Sequence, residues 1–141
     1  MEVLYRNQIP VIIISAGVTN CIEMFLKNNH ALFNNISIVS NLIQFNLQGE
    51  IVETPKFIVN PANKNMISFS SEIQEKIGTR ENVLLFGDIP GDIRMIENKD
   101  KEKTLSIAFA NKKEDIDGLK RNFDIVSEDS KIFEILEKMI K

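Results

Sequence analysis

Two short glycine-containing segments carry side chains suited to phosphate and metal chemistry, and the first is Ser15-Ala16-Gly17. It directly follows the apolar run Val11–Ile14. A small hydroxyl residue, a second small residue and a glycine let the backbone approach an anion closely. A helix that begins there points free amide groups at the same spot. The tripeptide therefore indicates phosphate binding, and a plain strand-to-helix turn with a capping serine is the alternative.

The second segment is Gly87-Asp88-Ile89-Pro90-Gly91-Asp92, which directly follows the apolar run Val83–Phe86. Its two aspartates are framed by glycines at the end of a predicted strand. Magnesium prefers oxygen ligands and keeps several waters, so one or two protein carboxylates are enough to bind it. Asp88 and Asp92 are therefore candidate Mg²⁺ ligands, and a tight turn with a helix cap is the alternative.

A lysine stands between these two segments in the sequence. Lys64, within Pro61-Ala62-Asn63-Lys64-Asn65, falls in a loop or at a helix start. There it would neutralise a phosphate, and an ordinary surface lysine is the alternative. Phosphoryl transfer depends on charge neutralisation and placement. A serine turn, a lysine and a glycine-framed aspartate pair, in this order, form a phosphate-and-magnesium constellation.

The elements that must position these residues alternate between strand and helix patterns. A run that is apolar at every position, such as Val11–Ile14, is typical of a strand buried on both faces of a parallel sheet. We therefore expect an α/β unit with a Rossmann-like, three-layer α/β/α arrangement. Sites in such sheets lie beyond the carboxyl ends of the strands, where Ser15 and Asp88 stand. The predicted strands are 11–14, 36–39, 83–86, 105–109 and 123–126. The predicted helices are 20–27, 66–77, 92–97, 113–120 and a last one capped by 127–130. Residues 42–52 are predicted to form a hairpin or an excursion from the sheet, and residues 98–103 a solvated loop.

Composition narrows the classes of function. The chain has 141 residues, enough for one domain, and its net charge of −3 argues against a nucleic-acid binder driven by bulk charge. One cysteine excludes an intrachain disulfide and a four-cysteine zinc site, and one histidine excludes mechanisms that need two. No apolar run approaches the roughly 20 residues of a membrane helix, and no signal-peptide pattern is present. We therefore expect no membrane partner and a cytoplasmic location, with Cys21 packed as a small side chain and His30 in a surface loop.

Four stretches combine into a series that carries more information than any one of them. They are Ile9-Pro10-Val11 leading into Ser15-Ala16-Gly17, Val39-Ser40-Asn41 before a glycine-bearing excursion, 85–95, and Asp124-Ile125-Val126 before the last helix. The series resembles the motifs of the pyrimidine 5′-nucleotidases (cytosolic 5′-nucleotidase type III), a branch of the haloacid-dehalogenase-like phosphatases. The resemblance runs from about Ile9 to Ile140, and residues 85–95 are its most specific part.

The resemblance implies a role for each residue of a phosphate-binding half. Ser15 would hold the transferred phosphate through its hydroxyl, and the backbone amides of Ala16 and Gly17 would help. Lys64 would neutralise the phosphate and the nucleophile. Such roles fit a reaction that depends on preorganised charge more than on unusual side-chain chemistry.

The resemblance also implies a metal-binding half and a substrate. Asp88 would bind Mg²⁺, and Asp92, a further candidate catalytic residue, would bind the ion directly or lie just outside its ligands. The substrate would be a nucleoside 5′-monophosphate, UMP or CMP, whose phosphoryl group passes to an aspartate and then to water. The implied activity is that of a magnesium-dependent 5′-nucleotidase with a haloacid-dehalogenase-like fold.

One motif of the family is not found. An Asp-x-Asp-x-Thr or Val pattern on a first strand would supply the nucleophile and the general acid/base, and a helical cap would follow it, but the ten residues before Val11 contain no aspartate. Asp115-Ile116-Asp117 has the spacing, yet it follows polar residues rather than an apolar strand, so a solvated helix explains it. Residues 1–141 therefore resemble the C-terminal part of the catalytic core, without the cap and incomplete at the central first strand.

This gap has consequences for stability and activity. In the family the first strand lies between the strands that end at Ser15 and Asp88, and its loss would leave apolar strand edges unpaired. We expect the chain alone to be inactive, and to be poorly stable, rearranged, or completed by a second chain or an upstream segment. A non-catalytic phosphate- and magnesium-binding module is the second hypothesis. An unrelated α/β domain is the third, although dinucleotide-binding and phosphate-loop glycine motifs are absent.

Overall fold

The chain folds into two compact units, each with its own parallel sheet. The computed structural model describes residues 1–64, 67, 69–96, 98–110, 116–129 and 131–140. The first unit comprises Met1–Lys64 and Ser68–Ile77, and the second comprises Asn65–Ile67 and Gly78–Lys141. The parallel α/β class predicted from the alternation of patterns is confirmed.

The first unit is built on two parallel strands and a hairpin. Strands β1 and β2 pair in parallel from Val11 opposite Ile36 to Ile14 opposite Val39, and the register shifts before Val18 meets Asn41. The irregularity falls on the segment predicted to bind phosphate. The elements are α1 (Glu2–Arg6), β1 (Val11–Val18), α2 (Thr19–Asn28), β2 (Ile36–Asn41), β3 (Gln44–Phe45), β4 (Ile51–Glu53) and α3 (Ser71–Ile77).

Two glycines, one in the first unit and one at the start of Gly78–Lys141 in the second, adopt the left-handed conformation that their places require. Gly49, in the hairpin between β3 and β4, has φ +82°, and Gly78, directly after α3, has φ +60°. Glycine reaches this region without the steric cost that a Cβ imposes. The predicted hairpin and the predicted end of the helix before Gly78 are both confirmed.

Three expectations about the first unit are wrong. Val11–Ile14 is half-buried rather than buried on both faces, because helices and loops must cover the faces of a strand and the pairing with β2 covers only one edge. The strand also continues through Ser15 to Val18 instead of ending in a turn. Cys21 is exposed on α2, since that helix buries the opposite side, which carries Thr19 and Leu26. Helix α1 was not anticipated, and α3 begins at Ser71 rather than near position 66, which lies outside the described residues.

The second unit is a three-stranded parallel sheet in the order β5-β6-β7. Ala108, Leu119 and Phe123 form its buried core, with Leu85 and Val126 packed against them. The elements are β5 (Val83–Gly87), a 3-10 helix (Pro90–Met95), a second 3-10 helix (Asn98–Lys103), β6 (Thr104–Phe109), α4 (Ile116–Lys120), β7 (Ile125–Ser127) and α5 (Lys131–Ile140).

Aromatic contacts hold the last helix on this sheet. The rings of Phe86 and Phe109 have centroids 5.9 Å apart, and the ring of Phe133 on α5 lies 5.8 and 5.2 Å from them. Leu136, also on α5, is buried, as its apolar face predicts.

Smaller differences concern element ends in the second unit. The predicted loop 98–103 forms a 3-10 helix, in which Lys101–Lys103 are exposed as expected. Phe123 precedes β7 as a buried core residue instead of beginning it. The helix expected over 113–120 is described from Ile116 onward, because positions 113–115 lie outside the described residues. In the part of the chain that is described, no helix has the length and apolar character needed to cross a bilayer.

Candidate active site

Ser15-Ala16-Gly17 lies in the irregular end of β1. Ser15 is half-buried, whereas Ala16 and Gly17 are exposed. The amide of Gly17 donates a hydrogen bond of 3.0 Å to Ser15 Oγ. A Cβ at position 17 would stand 3.2 Å from that same oxygen, which is tighter than most real contacts. The glycine therefore lets the serine hydroxyl fold back onto the backbone at the strand end.

The capping role considered for Ser15 is not observed. Helix α2 begins at Thr19, and its N-cap is Val18, an extended residue that makes no side-chain capping bond. The amide groups of the first turn of a helix have no partner within the helix, and they favour anions. Ser15 and the first turn of α2 are therefore separate features, joined by Ala16, Gly17 and Val18.

Asn41, at the end of β2, holds the Ser15–Gly17 segment, a role that the sequence alone does not indicate. Its side chain is buried, and its amide nitrogen donates to the carbonyls of Ala16 (2.9 Å) and Gly17 (3.2 Å). The same nitrogen donates to the carbonyl of Val59 (3.0 Å), and the side-chain oxygen accepts from the Val59 amide (2.8 Å). A buried amide with this many partners fixes the backbone around it. The available signal was an asparagine two residues after the predicted strand 36–39, within the Val39-Ser40-Asn41 stretch.

Lys64 follows a turn whose backbone is fixed by asparagine side chains. The Asn60 amide donates to Asn63 Oδ1 (2.8 Å), the Ala62 amide donates to Asn60 Oδ1 (2.9 Å), and Asn63 Nδ2 donates to the Ile58 carbonyl (2.9 Å). The Lys64 residue itself is half-buried. Such local side-chain bonds make a turn rigid without regular secondary structure. Lys64 therefore directly follows an ordered turn, which agrees with its predicted place in a loop or at a helix start.

The aspartate pair lies at the carboxyl end of β5, and its two members have different environments. Asp92 is 2% exposed, and its Oδ2 accepts from the amides of Asp88 (3.1 Å) and Ile89 (3.4 Å). Asp88 is exposed. A carboxylate that accepts backbone amides at the first turn of a helix satisfies donors that would otherwise lack partners. Asp92 therefore holds the loop that presents Asp88.

Gly87 leaves the space that this arrangement needs. A Cβ at position 87 would lie 2.7 Å from Asp92 Cβ, 3.0 Å from Asp92 Oδ2 and 3.0 Å from Phe123 Cζ. Real Cβ atoms do not approach other atoms at 2.7 Å, so any larger residue would move Asp92 or the strand end. The glycine at the start of the motif is thus a packing requirement for the buried carboxylate.

The donor set at the end of β5 fits a small, hard cation. Asp88 offers an exposed carboxylate, and Asp92 offers a second carboxylate that is buried and bonded to the loop. Magnesium commonly takes one or two carboxylates and completes its shell with water and substrate oxygens. Across the described ranges, no group of three or more His, Cys, Asp or Glu side chains forms a larger metal cluster.

Asp117, the second aspartate of the Asp115-Ile116-Asp117 pattern, is exposed on α4. This agrees with the solvated-helix interpretation for that residue, and Asp115 lies outside the described residues. His30 has φ +52° in the exposed turn after α2, as the surface-loop prediction has it.

Asp124 and Ser106 form a further polar pair between β6 and the start of β7. Asp124 Oδ2 accepts from the Ser106 hydroxyl (2.6 Å) and the Ser106 amide (2.8 Å), and the Asp124 amide donates to Ser106 Oγ (3.0 Å). The hydrogen bond from the Ser106 hydroxyl is the main cause that lowers the pKa of Asp124 below its ordinary value of 3.8. Ser106 is 3% exposed, so the pair ties β7 to the buried middle of β6.

The structure groups the candidate residues in two sets. Ser15, Ala16, Gly17 and Lys64 belong to the first unit, together with Asn41, and Asp88 and Asp92 belong to the second. Within the first set, Asn41 contacts both the Ser15–Gly17 segment and the chain that leads to Lys64. Within the second, Asp92 contacts the backbone of Asp88.

Comparison with known proteins gives a consistent result. The model of the family described as pyrimidine 5′-nucleotidase (UMPH-1) matches residues 1–141. The 7-methylguanosine phosphate-specific 5′-nucleotidase of Mus musculus is 27% identical over 144 residues, which cover 99% of this chain and 48% of the relative. The Homo sapiens protein of the same name is 29% identical over 142 residues, which cover 98% and 47%. The chain therefore spans about half the length of the curated relatives it matches.

A solved structure shares the fold. The crystal structure of cytosolic 5′-nucleotidase IIIB bound to cytidine matches with a TM-score of 0.80 and 23% sequence identity, over 99% of this chain and 49% of that one. The likeness confirms the haloacid-dehalogenase-like fold expected from the motif series.

Proposed function

Because this chain belongs to the pyrimidine 5′-nucleotidase (UMPH-1) family over residues 1–141, we propose that it is the phosphate- and magnesium-binding part of a 5′-nucleotidase. The reaction is hydrolysis of a nucleoside 5′-monophosphate to a nucleoside and phosphate, and the location is the cytoplasm. The observation that carries the proposal is the exposed Asp88 carboxylate at the carboxyl end of β5, on a loop held by the buried carboxylate of Asp92.

The first set of residues supplies phosphate binding. The Ser15 hydroxyl accepts a bond from the Gly17 amide and can still donate its own proton to a phosphate oxygen. The exposed backbone at Ala16 and Gly17 permits close approach of the anion, and Lys64 adds positive charge from the ordered turn that precedes it. These groups would neutralise the charge that spreads over the transferred phosphoryl group.

The second set supplies metal binding. Asp88 would bind Mg²⁺ directly, and Asp92, whose Oδ2 already accepts two backbone amides, would keep Asp88 in place. When bound, the ion would neutralise phosphate oxygens and help to orient the substrate. Metal binding by one carboxylate and positioning by the other require an exposed carboxylate and a buried one, which is the arrangement at the end of β5.

Turnover needs an aspartate nucleophile that we assign to a complementing segment rather than to these residues. The phosphorus–oxygen bond to the nucleoside would break as a new one forms to the nucleophile carboxylate, and the nucleoside leaves with a proton from a general acid. Water then releases phosphate and restores the carboxylate. Asp117 is exposed on helix α4 rather than at a strand end, so we do not assign this role to it. The chain alone is therefore proposed to bind phosphate and Mg²⁺ without turnover.

The substrate class is a nucleoside 5′-monophosphate, with UMP and CMP as the proposed substrates. A pyrimidine base is supported by the family description and by the cytidine bound to the related solved structure. The relatives from mouse and human are named for 7-methylguanosine phosphate, so that nucleotide is the informative competitor in an assay.

The test is phosphate release from UMP, CMP and 7-methylguanosine 5′-monophosphate in the presence of Mg²⁺. The chain is assayed alone and after co-expression with the half of the mouse relative that the match does not cover, which the motif resemblance implies is its N-terminal half. We expect no release from the chain alone, and release from the pair that is lost in Asp88→Asn and Ser15→Ala. An Asp117→Asn variant is the matched control and retains activity.

Two outcomes would change the proposal. Release by the chain alone that survives Asp88→Asn would overturn both the metal assignment and the need for a complementing segment. A pair that assembles and binds Mg²⁺ and phosphate but releases none from any nucleotide would favour the non-catalytic binding module instead.

A further inference from the structure

We propose that Asn41 is a positioning residue, which holds the phosphate-binding backbone at Ala16 and Gly17 and the segment leading to Lys64 in one fixed arrangement. This inference rests on the proposed function, because it assigns the residue on which the geometry of that phosphate site depends. Asn41 is 9% exposed and stands at the last position of β2, next to the irregular end of β1.

The hydrogen bonds of Asn41 join two stretches that are far apart in the sequence. Its Nδ2 group donates to the carbonyls of Ala16 and Gly17, which are 25 and 24 residues away in the sequence. The other contacts involve both backbone groups of Val59, 18 residues away, at 3.0 and 2.8 Å. A carboxamide has two N–H donors and an oxygen acceptor, so this side chain satisfies a carbonyl and an amide of the same residue in the manner of a β-bridge.

The bond to the carbonyls has a direct consequence for the amides at the strand end. The peptide units are planar, so fixing the carbonyls of Ala16 and Gly17 also fixes the direction of the amides that follow them, those of Gly17 and Val18. Only groups aimed in advance at the anion stabilise it without reorganisation. Asn41 therefore controls which way this backbone faces, although its own side chain is buried behind it.

On the Val59 side the same control extends toward Lys64. Val59 is 5% exposed, and the turn between it and Lys64 is closed by bonds from Asn60, Ala62 and Asn63. These bonds order the backbone from Val59 to Asn63, and Lys64 is the next residue, so the backbone position of Lys64 depends on that of Val59. One buried amide thus relates the serine and the lysine of the proposed phosphate site.

A neighbouring contact strengthens the assignment. Thr19 Oγ1 and Ser40 Oγ form a hydrogen bond of 2.6 Å, which joins the first residue of α2 to the residue before Asn41. Thr19 is 8% exposed. The end of β2 therefore secures both the strand end at Ala16 and Gly17 and the start of the helix that follows it.

The chain supplies a matched control in Asn20. Its side chain also clamps a backbone residue by both groups, since Nδ2 donates to the Ile43 carbonyl (3.0 Å) and Oδ1 accepts from the Ile43 amide (3.1 Å). Asn20 belongs to the same unit but bonds the chain next to the hairpin instead of the Ser15–Gly17 segment. Asn20→Ala and Asn41→Ala remove the same uncharged side chain, and each removes hydrogen bonds to both the carbonyl and the amide of one residue.

The experiment is a titration of inorganic phosphate, in the presence of Mg²⁺, followed through the backbone amide resonances of Gly17 and Val18 in the full chain. Both alanine variants are expected to lower the melting temperature, because each removes hydrogen bonds. Asn41→Ala is expected to weaken phosphate binding by about tenfold or more, whereas Asn20→Ala keeps the wild-type affinity. If Asn41 had only a structural role, Asn41→Ala and Asn20→Ala would each change the phosphate affinity in line with the melting temperature.

The outcomes separate this inference from the proposed function. Equal phosphate affinity of Asn41→Ala and the wild type would overturn the positioning role while the phosphate site stands. Absence of phosphate binding by the wild type itself would overturn the phosphate site and, with it, the positioning role. Should Asn41→Ala fail to fold, Asn41→Ser, which keeps one donor and one acceptor, is titrated in its place and must show the same loss.

Discussion

Gly87 is the residue on which the loop at the end of β5 depends. A Cβ at position 87 would lie 2.7 Å from Asp92 Cβ and 3.0 Å from Phe123 Cζ, so only glycine leaves both atoms in place. Both neighbours are buried parts of the second unit, so neither has open space to enter. Residue by residue, the candidate metal site therefore rests on a glycine, a buried carboxylate and the backbone amides between them.

We predict that Gly87→Ala destabilises the protein by about 1–3 kcal/mol, the usual cost of forcing an extra group into a packed core. The measurement is the free energy of unfolding by chemical denaturation. Gly118→Ala is the control, because a Cβ there would meet its nearest neighbour at an ordinary 3.9 Å, on helix α4. If both substitutions had the same effect, the close packing of Asp92 on Gly87 would be wrong.

Asp124 makes a prediction about pH. The Ser106 hydroxyl lowers the pKa of Asp124 in the folded state, whereas in the unfolded state it lies near 3.8. The pair therefore stabilises the protein above about pH 3.8, and that stabilisation is lost as the pH falls through the lower pKa of the folded state. We expect Asp124→Asn to be less stable than the wild type at neutral pH and the difference to shrink in acid.

The check for Asp124 is a series of melting temperatures from neutral pH down past pH 3.8, with Asp117→Asn as the control for an exposed aspartate. A gap between wild type and Asp124→Asn that stays constant over this range would contradict the assignment.

The positions of the strands and of most helices follow from the spacing of apolar residues, whereas the strand end that forms the candidate phosphate site does not. The apolar run 11–14 predicts β1, but its extension to Val18 depends on Asn41 and the pairing of Val18 with Asn41. Those contacts link residues more than twenty positions apart, which local pattern cannot report. In contrast, Asp88 and Asp92 were identified because glycine, proline and aspartate at a strand end have local meaning.

Local sequence patterns also do not show which face of a helix is buried or how deeply a strand is buried. Cys21 was expected inside and is exposed, since which face of α2 is buried depends on the strands it packs against. Val11–Ile14 was expected to be covered on both faces and is half-buried, because a run of four apolar residues does not say how many strands or helices surround it.

The β3–β4 hairpin gives a prediction at the level of an element. Asn46 Oδ1 accepts from the amides of Gln48 (3.0 Å) and Glu50 (2.8 Å), and Gly49 supplies φ +82°. Within the described ranges no atom lies within 4 Å of a Cβ built at Gly49, so Gly49→Ala should cost about 1–2 kcal/mol from backbone strain. Gly49→Asn should cost less, because asparagine tolerates this conformation, and equal costs in chemical denaturation would contradict the explanation.

At the scale of the whole molecule, the outer strands of each parallel sheet are paired on one side only within the described residues, and apolar side chains of β5 and of the hairpin are exposed. β1–β2 and β5–β6–β7 are separate sheets in the described structure. Val83 and Leu84 of β5 are 38% and 37% exposed, and Phe45 and Ile51 of the hairpin are 51% and 58% exposed. Unpaired edges with apolar side chains favour association with further chain.

We therefore predict that the isolated chain melts broadly or self-associates, and that co-expression with the N-terminal half of the mouse relative raises its melting temperature. A partner that binds the folded state stabilises it in proportion to its affinity and concentration. Calorimetry together with sedimentation measures both quantities. A cooperative melt of a monomer above about 65 °C, the upper end for ordinary domains, would contradict this account.

The central claim is that the carboxyl end of β5 is a magnesium site of a 5′-nucleotidase, and the most direct test is a titration of the chain with Mg²⁺ and then Mn²⁺. We expect Mg²⁺ to shift the backbone amide resonances of Asp88, Ile89 and Gly91, and Mn²⁺ to broaden them. Asp88→Asn should abolish both effects, and Asp117→Asn should leave them unchanged. Resonances that respond equally in the wild type and in Asp88→Asn would show that the ion does not bind at Asp88, and the claim would fail.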